Sequence, residues 1–128
     1  MKLSQPLWAA ALVATFAFGG IAEAHPRLLA STPAANGVVA PPNRVQLTFS
    51  ERLIGRMSGA DILMTGMPGR PHHQPVKMGG FAAAIGADGK TLVLARQRLL
   101  PAGTYRIVWH AVATDTHRVA GAYSFAVK

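Results

Sequence analysis

Hydrophobic and polar residues alternate through much of the chain after residue 25. In the segment 44–49, Val45, Leu47 and Phe49 occupy every second position, and polar side chains stand between them. A period of two residues places one set on each face of an extended chain, which is the pattern of a half-buried strand. Similar segments follow, and the predicted strands are 44–49, 62–65, 81–85, 91–95, 105–110 and 122–127.

Turn residues separate these strands at short intervals. Asp88-Gly89, between the apolar segments 81–85 and 91–95, is a hairpin signal because both residues tolerate the backbone of a tight turn. Further turns are predicted at Asn36-Gly37, Pro68-Gly69 and Ala120-Gly121. About seven short strands with a turn roughly every 8–12 residues indicate an all-β fold, either an Ig-like antiparallel sandwich or a Greek-key barrel.

The first 24 residues have the pattern of a secretory signal peptide. Lys2 is followed by an apolar stretch from Leu7 to Ile21, and Ala22 and Ala24 fit the small-residue cleavage site. A membrane anchor is the alternative, but the stretch is shorter than the roughly 20 residues that a spanning helix needs. Residues 1–24 are therefore predicted to be removed on export, which leaves one domain, 25–128, beginning with His25.

Composition narrows the classes of function. The chain has a formal net charge of +8 at pH 7. The arginines are scattered without interleaved aromatic residues and the chain is exported, so nucleic acid is not the expected partner. The positive charge is instead expected to serve solubility, or attraction to an acidic membrane face or partner. The chain has no cysteine. A site for a soft metal ion must therefore use methionine and histidine.

A first group of candidate metal ligands combines the new N-terminus with a later loop. A histidine at the chain start offers both its α-amine and its ring Nδ1 to one metal ion. Asp115 and His117 stand two positions apart, so both side chains project to one face of an extended backbone. Three nitrogens and one oxygen suit the tetragonal geometry of Cu(II). By itself an Asp-x-His pair is typical of an ordinary loop, so the prediction of a Cu(II) site depends on His25.

A second group lies in a proline- and glycine-rich segment. Methionine thioethers bind Cu(I) well and hard ions poorly. The alternatives are that Met64 fills the core from its strand and that the adjacent histidines lie at the surface or bind Ni(II) or Zn(II) weakly. The candidate ligands for Cu(I) are Met64, Met67, His72, His73 and Met78.

The order and spacing of several motifs resemble the CopC/PcoC family of periplasmic copper-binding proteins from His25 to Lys128. The matching motifs are His25-Pro26, Ser31-Thr32-Pro33, Leu47-Thr48-Phe49-Ser50-Glu51, Met64-Thr65-Gly66-Met67-Pro68-Gly69, Leu100-Pro101-Ala102-Gly103-Thr104-Tyr105, Trp109, Asp115-Thr116-His117, Gly121 and Phe125-Ala126-Val127.

The resemblance implies a cupredoxin-like Greek-key β-sandwich with a Cu(II) site at one end, held by His25, Asp115 and His117. It also implies that Glu51 lies near the amino terminus as an outer-shell acceptor, and that Trp109 packs beside the site as a core residue. Members with a methionine-rich loop bind Cu(I) at the opposite end. Here Arg70 stands where such members often carry another methionine, and a cation pointing inward would repel Cu(I).

The resulting hypothesis is a soluble, monomeric, non-enzymatic protein that sequesters Cu(II), and Cu(I) at the methionine loop, for copper resistance or uptake. The resemblance implies a CopD-type inner-membrane protein or a multicopper oxidase as the partner. Two alternatives remain. A copper monooxygenase also uses an N-terminal histidine chelate, although few aromatic residues are available here to bind a polymer. A metal-free Ig-like interaction module would share the fold alone.

Overall fold

A computed structural model of the chain describes residues 25–128, so the predicted signal peptide, residues 1–24, lies outside the described residues. The described part forms nine strands and a short 3₁₀ helix, Gly55–Met57. Within this part, no helix has the length and apolar character needed to span a bilayer. The strands are β1 (Leu28–Thr32), β2 (Val38–Val39), β3 (Arg44–Phe49), β4 (Gly59–Gly66), β5 (Val76–Lys77), β6 (Ala82–Ile85), β7 (Thr91–Ala95), β8 (Gly103–Val112) and β9 (Arg118–Val127).

The strands form two sheets, one with the order β1-β3-β7-β6 and one with the order β2-β9-β8-β4-β5. All pairings are antiparallel except that of β2 with β9, which is parallel. The all-β sandwich is confirmed, with nine strands rather than about seven. The strands missing from the prediction are β1, β2 and β5, and two of these are only two residues long.

The core lies between the sheets and is filled by the alternate residues of the long strands. Val45, Leu47 and Phe49 are fully buried, as their period of two predicts. The ring of Phe49 meets Trp109 edge-on at 5.1 Å, and Tyr105 stacks on Phe125 at 5.4 Å. The packed aromatic pairs tie β3 to β8 and β8 to β9, and so fix the ends of these strands, where the candidate ligands lie.

The long strand β8 separates the two candidate sites. Val112, its last residue, leads into the loop that carries Asp115 and His117, while Gly103, its first residue, pairs with the last residue of β9. The β4 strand runs antiparallel to β8, so its final residue, Gly66, lies beside Thr104 at the start of β8. The histidine loop and the methionine loop therefore lie at opposite ends of the sandwich.

Candidate metal centre

The first residues of the domain are tied to the end of β3. The backbone N–H of Arg27 donates to Ser50 Oγ at 2.8 Å, and the backbone N–H of Ser50 donates to the carbonyl of Arg27 at 2.9 Å. These two hydrogen bonds extend the pairing of β1 with β3 past Leu28. They hold the segment before β1, which includes His25, at one end of the sandwich.

The loop between β8 and β9 is a tight turn at the same end. Its backbone closes through hydrogen bonds from Ala113 N–H to the carbonyl of His117 at 3.1 Å and from Thr116 N–H to the carbonyl of Ala113 at 2.8 Å. Thr116 takes a positive φ of 73° to complete the turn. The N–H of Thr114 donates to the carbonyl of Arg52 at 3.1 Å, so the loop is fixed against the segment that follows β3.

This geometry brings the predicted Cu(II) ligands together at the surface. The rings of His25 and His117 lie 4.6 Å apart between centroids, inclined at 53°. His117 Nδ1–H donates to Asp115 Oδ2 at 2.8 Å, and the backbone N–H of His117 donates to Oδ1 at 3.1 Å. All three side chains are exposed, so an ion could reach them and leave again.

Hydrogen bonding and charge both favour the ionised carboxylate of Asp115. The side-chain hydrogen bond from His117 lowers the pKa of Asp115 below its ordinary value, and the backbone N–H of His117 and the nearby His25 act in the same direction. Because the carboxylate engages Nδ1 of His117, it leaves Nε2 as the nitrogen of that ring directed to a metal ion. A carboxylate that fixes the ring of a histidine in this way is a common arrangement at metal sites.

The described residues contain no group of three His, Cys, Asp or Glu side chains already arranged to hold a metal ion. At the histidine end the carboxylate oxygens of Asp115 are occupied by His117, and the two rings face one another. Binding of an ion by all three side chains therefore requires the Asp115 carboxylate to release His117 and the exposed rings to rotate.

Two remaining predictions concern residues near this cluster, Trp109 and Glu51. Trp109 is 9% exposed and belongs to the core below the site, as predicted. Glu51 is half-buried and directly follows Ser50, the residue bonded to Arg27. Its role as an acceptor for the amino terminus stays a prediction.

The methionine loop contains a tight turn at the opposite end. Met67 and Arg70 exchange two backbone hydrogen bonds of 2.9 Å around Pro68-Gly69, and Gly69 has a φ of 81°, which favours glycine at that corner. The side chain of Met67 is 39% exposed and Arg70 is exposed. Met64 is only 6% exposed and packs in the core, which is the alternative that its strand position suggested.

The other members of the second group are spread along β4. The backbone N–H of His73 donates to the carbonyl of Thr65 at 3.0 Å, and that of Met78 donates to the carbonyl of Ile62 at 2.8 Å. Met78 is therefore placed beside the middle of β4 and packs partly against the core, while His72 is exposed at the loop surface. Met67, His72 and His73 remain near the end of the sandwich.

His73 has a feature that sequence reasoning missed. Its Nδ1 lies 2.7 Å from the carbonyl oxygen of Gln74, which can only accept, so the proton is on Nδ1. Its Nε2 is buried and has no hydrogen-bond partner. A bare, buried ring nitrogen is uncommon in folded proteins and is the form in which histidine binds a metal ion.

The chain is thus a small β-sandwich with one group of nitrogen and oxygen donors at one end and a group of nitrogen and sulfur donors toward the other. A model of the CopC domain family matches residues 28–128, and the chain belongs to this family. It is 44% identical to copper resistance protein C of Escherichia coli over 126 residues, 98% of each chain, and 39% identical to copper resistance protein C of Pseudomonas syringae pv. tomato over the full length of both. Its fold is similar to the crystal structure of PcoC, a methionine-rich copper resistance protein from Escherichia coli, with a TM-score of 0.74 at 46% identity, covering 81% of this chain and 99% of that one.

Proposed function

We propose that the protein is a periplasmic, non-enzymatic copper carrier that binds Cu(II) at the histidine end. The observation that carries the proposal is the meeting of His25, His117 and the ionised Asp115 at one exposed corner. Relatives that align with the whole chain are named copper resistance proteins, and imidazole and carboxylate are suitable ligands for Cu(II).

Cleavage after Ala24 is part of the proposal. It converts the backbone nitrogen of His25 from an amide, which does not bind Cu(II) readily, into a free α-amine. The amine and Nδ1 of His25 then chelate one ion, and Nε2 of His117 and the carboxylate of Asp115 complete a tetragonal set. Glu51 accepts a hydrogen bond from the amine and holds it in place.

The methionine end is proposed as a weaker site for Cu(I). The bare Nε2 of His73 and the exposed thioether of Met67 supply a nitrogen and a sulfur ligand, with His72 beside them. Met64 and Met78 are further candidates that would have to leave the core to contribute. The backbone hydrogen bonds that join Arg70 to Met67 leave the guanidinium exposed, and solvent screens its repulsion of Cu(I).

Exposure of the ligands suits transfer rather than storage. An ion held by a chain terminus and a surface loop can be displaced one ligand at a time by the ligands of an acceptor. We propose a CopD-type inner-membrane protein or a multicopper oxidase as the acceptor, with the carrier soluble and monomeric, in copper resistance or uptake.

The test compares two proteins that differ by one residue at the amino terminus. Cu(II) is titrated into protein that begins at His25 and into a form with one additional N-terminal Ala, and each is followed by EPR. We expect tight tetragonal binding that is lost in the extended form, because the added residue turns the amine into an amide. Equal spectra and equal affinity in the two forms would contradict the proposed ligand set.

A further inference from the structure

The four-stranded sheet is one strand narrower than the sheet that it covers. Its last strand, β6, pairs with β7 on one side and has no described strand on the other. Ala82, Ala83 and Ala84 of this strand are exposed, although the strand belongs to a packed sandwich. We call the unpaired side of β6 the open edge and define it by Ala83 and Ile85.

The backbone groups of these two residues point away from β7. The N–H of Gly86 donates to the carbonyl of Thr91 at 2.8 Å, so these residues form a hydrogen-bonded pair of the hairpin. Because bonded and non-bonded pairs alternate along antiparallel strands, Ala84 is bonded to β7 and Ala83 and Ile85 are not. The open edge therefore presents two N–H and two C=O groups to an approaching chain.

The other end strands of the two sheets are protected in ways that β6 is not. The pairing of β1 with β3 is irregular between Leu28 and Ala30, and β2 and β5 are each two residues long. Bulges, very short strands and charged side chains are the usual means of preventing an edge from pairing. β6 pairs regularly over four residues and carries no charge. Among the described strands, it is therefore the end strand best suited to accept another strand.

Two hollows lie on the inward side of the open edge. The side chains of Ala83 and Ile85 face the interior, because both residues pair with buried leucines of β7. Ala83 lines both hollows. The smaller hollow, of about 250 Å³, lies beside Ile85 and Gly55, where the glycine leaves room. The larger hollow, of about 310 Å³, is lined by the ion pair of Asp61 with Lys77 and by the apolar side chains of Ile62, Met78, Phe81 and Leu94.

We propose that the open edge accepts an extended segment of a partner protein as a fifth strand of the four-stranded sheet. In an antiparallel segment, the residues directly opposite Ala83 and Ile85 share their inward face, so their side chains enter the two hollows. The residue between them faces outward, beside Ala84. The recognised sequence is therefore apolar-x-apolar in an extended conformation. Backbone hydrogen bonds supply the affinity, and the hollows supply the specificity.

A partner protein fits the open edge better than a second copy of this chain does. A second β6 would offer two inward residues, Ala83, which is too short to fill a hollow, and Ile85, which already packs against its own core. Each copy also carries a formal net charge of +8, so two copies repel one another. The edge runs along the side of the sandwich, so an added strand leaves both proposed metal-binding ends open.

The test uses metal-free protein that begins at His25, so its outcome does not depend on copper binding. The probe is the peptide Ser-Thr-Val-Thr-Val-Thr-Ser, and hydrogen exchange of each backbone amide is followed by NMR. In the free protein, the amides of Ala83 and Ile85 should exchange at least tenfold faster than that of Ala84, which is bonded to β7. Saturating peptide should slow exchange at Ala83 and Ile85 at least fivefold and leave β1, at the opposite edge, unchanged.

N-methylated peptides test the direction of the hydrogen bonds. Methylation of both valine nitrogens, which face β6 in the proposed register, should abolish binding. Methylation of the central threonine nitrogen, which faces away, should change the dissociation constant less than threefold. A peptide of the same composition with adjacent valines, Ser-Thr-Val-Val-Thr-Thr-Ser, should bind at least fivefold more weakly. Equal effects of the two methylations, or equal binding of the two sequences, would overturn the proposal.

The matched protein variants are Ala83→Lys and Ala82→Lys, which place the same charge on opposite faces of β6. Ala83→Lys puts it in the path of the entering segment and should weaken binding at least fivefold, whereas Ala82→Lys should weaken it less than twofold. Equal weakening by the two variants, or no binding of the peptide to wild type, would contradict the proposal. Slower exchange at Ala83 with rising concentration of the protein alone would overturn it in favour of a second copy.

Discussion

At the scale of single residues, the packing of Trp109 beneath the histidine site requires that position 121 has no side chain. A Cβ at Gly121 would lie 2.4 Å from Cζ2 and 2.8 Å from Cε2 of Trp109, closer than atoms pack. Trp109 in turn packs against Phe49, so it has little room to move away. We expect Gly121→Ala to lower the free energy of unfolding by about 1–3 kcal/mol, as overpacking of a core does.

Urea unfolding measures this loss, and Gly79→Ala is the control. A Cβ at Gly79 meets nothing within 4 Å, so this second variant should change the unfolding free energy by less than about 0.5 kcal/mol. Equal losses in the two variants would mean that the indole does not fix the backbone at Gly121.

Residue chemistry predicted part of the candidate site. The side chains of Asp115 and His117 do meet, but through a tight turn with Thr116 at positive φ and not on the extended backbone that their i, i+2 spacing predicted. The chemistry of a terminal histidine suggested His25 as their neighbour. The bare Nε2 of His73 was not predictable, because it results from the way the segment after the Met67–Arg70 turn packs beside Thr65. Burial of one ring nitrogen depends on contacts that no local pattern encodes.

At the scale of elements, the strands found from the sequence are those with their own pattern. The hairpin of β6 and β7 was predicted because alternation and Asp88-Gly89 are both local signals. The two-residue strand β2 pairs in parallel with the distant β9, and β5 pairs with β4 after a long loop. Such short edge strands form only because their partner strands are already in place. Two residues are too few to show an alternation of hydrophobic and polar positions.

The turn between β6 and β7 makes stability depend on pH. The hydrogen bond from the backbone N–H of Lys90 and that from the Thr91 hydroxyl lower the pKa of the Asp88 carboxyl. A lowered pKa means that the ionised form stabilises the folded state above the ordinary value of about 3.9, and that this contribution is lost as the pH falls below it. We therefore expect wild type to be more stable than Asp88→Asn at pH 6, with the difference shrinking as the pH falls below about 4.

Thermal unfolding of both proteins across this range measures the difference. Asn keeps one acceptor oxygen for the turn but does not titrate, so the comparison isolates the charge. A gap between the two melting temperatures that stays constant down to pH 2 would contradict the assignment of this pH dependence to Asp88.

At the scale of the whole molecule, two sets of donors are held apart by one rigid element. The ten residues of β8 run from the methionine end to the histidine end, a separation of about 30 Å at roughly 3.3 Å per residue. Side chains this far apart with no shared partner normally contribute independently. The two proposed copper sites should therefore fill and empty without affecting one another.

Single substitutions at each end test this independence. We expect His117→Ala to abolish the tetragonal Cu(II) signal in EPR while Cu(I) affinity, measured by competition with a Cu(I)-specific chelator, changes less than twofold. His73→Ala should have the reverse effect, and a larger one than His72→Ala, because Nε2 of His73 is already buried and unpaired whereas the adjacent ring is exposed. Equal losses of Cu(I) affinity at positions 72 and 73 would refute the role given to that nitrogen, and a loss of both metal ions in either variant would mean that the sandwich couples its two ends.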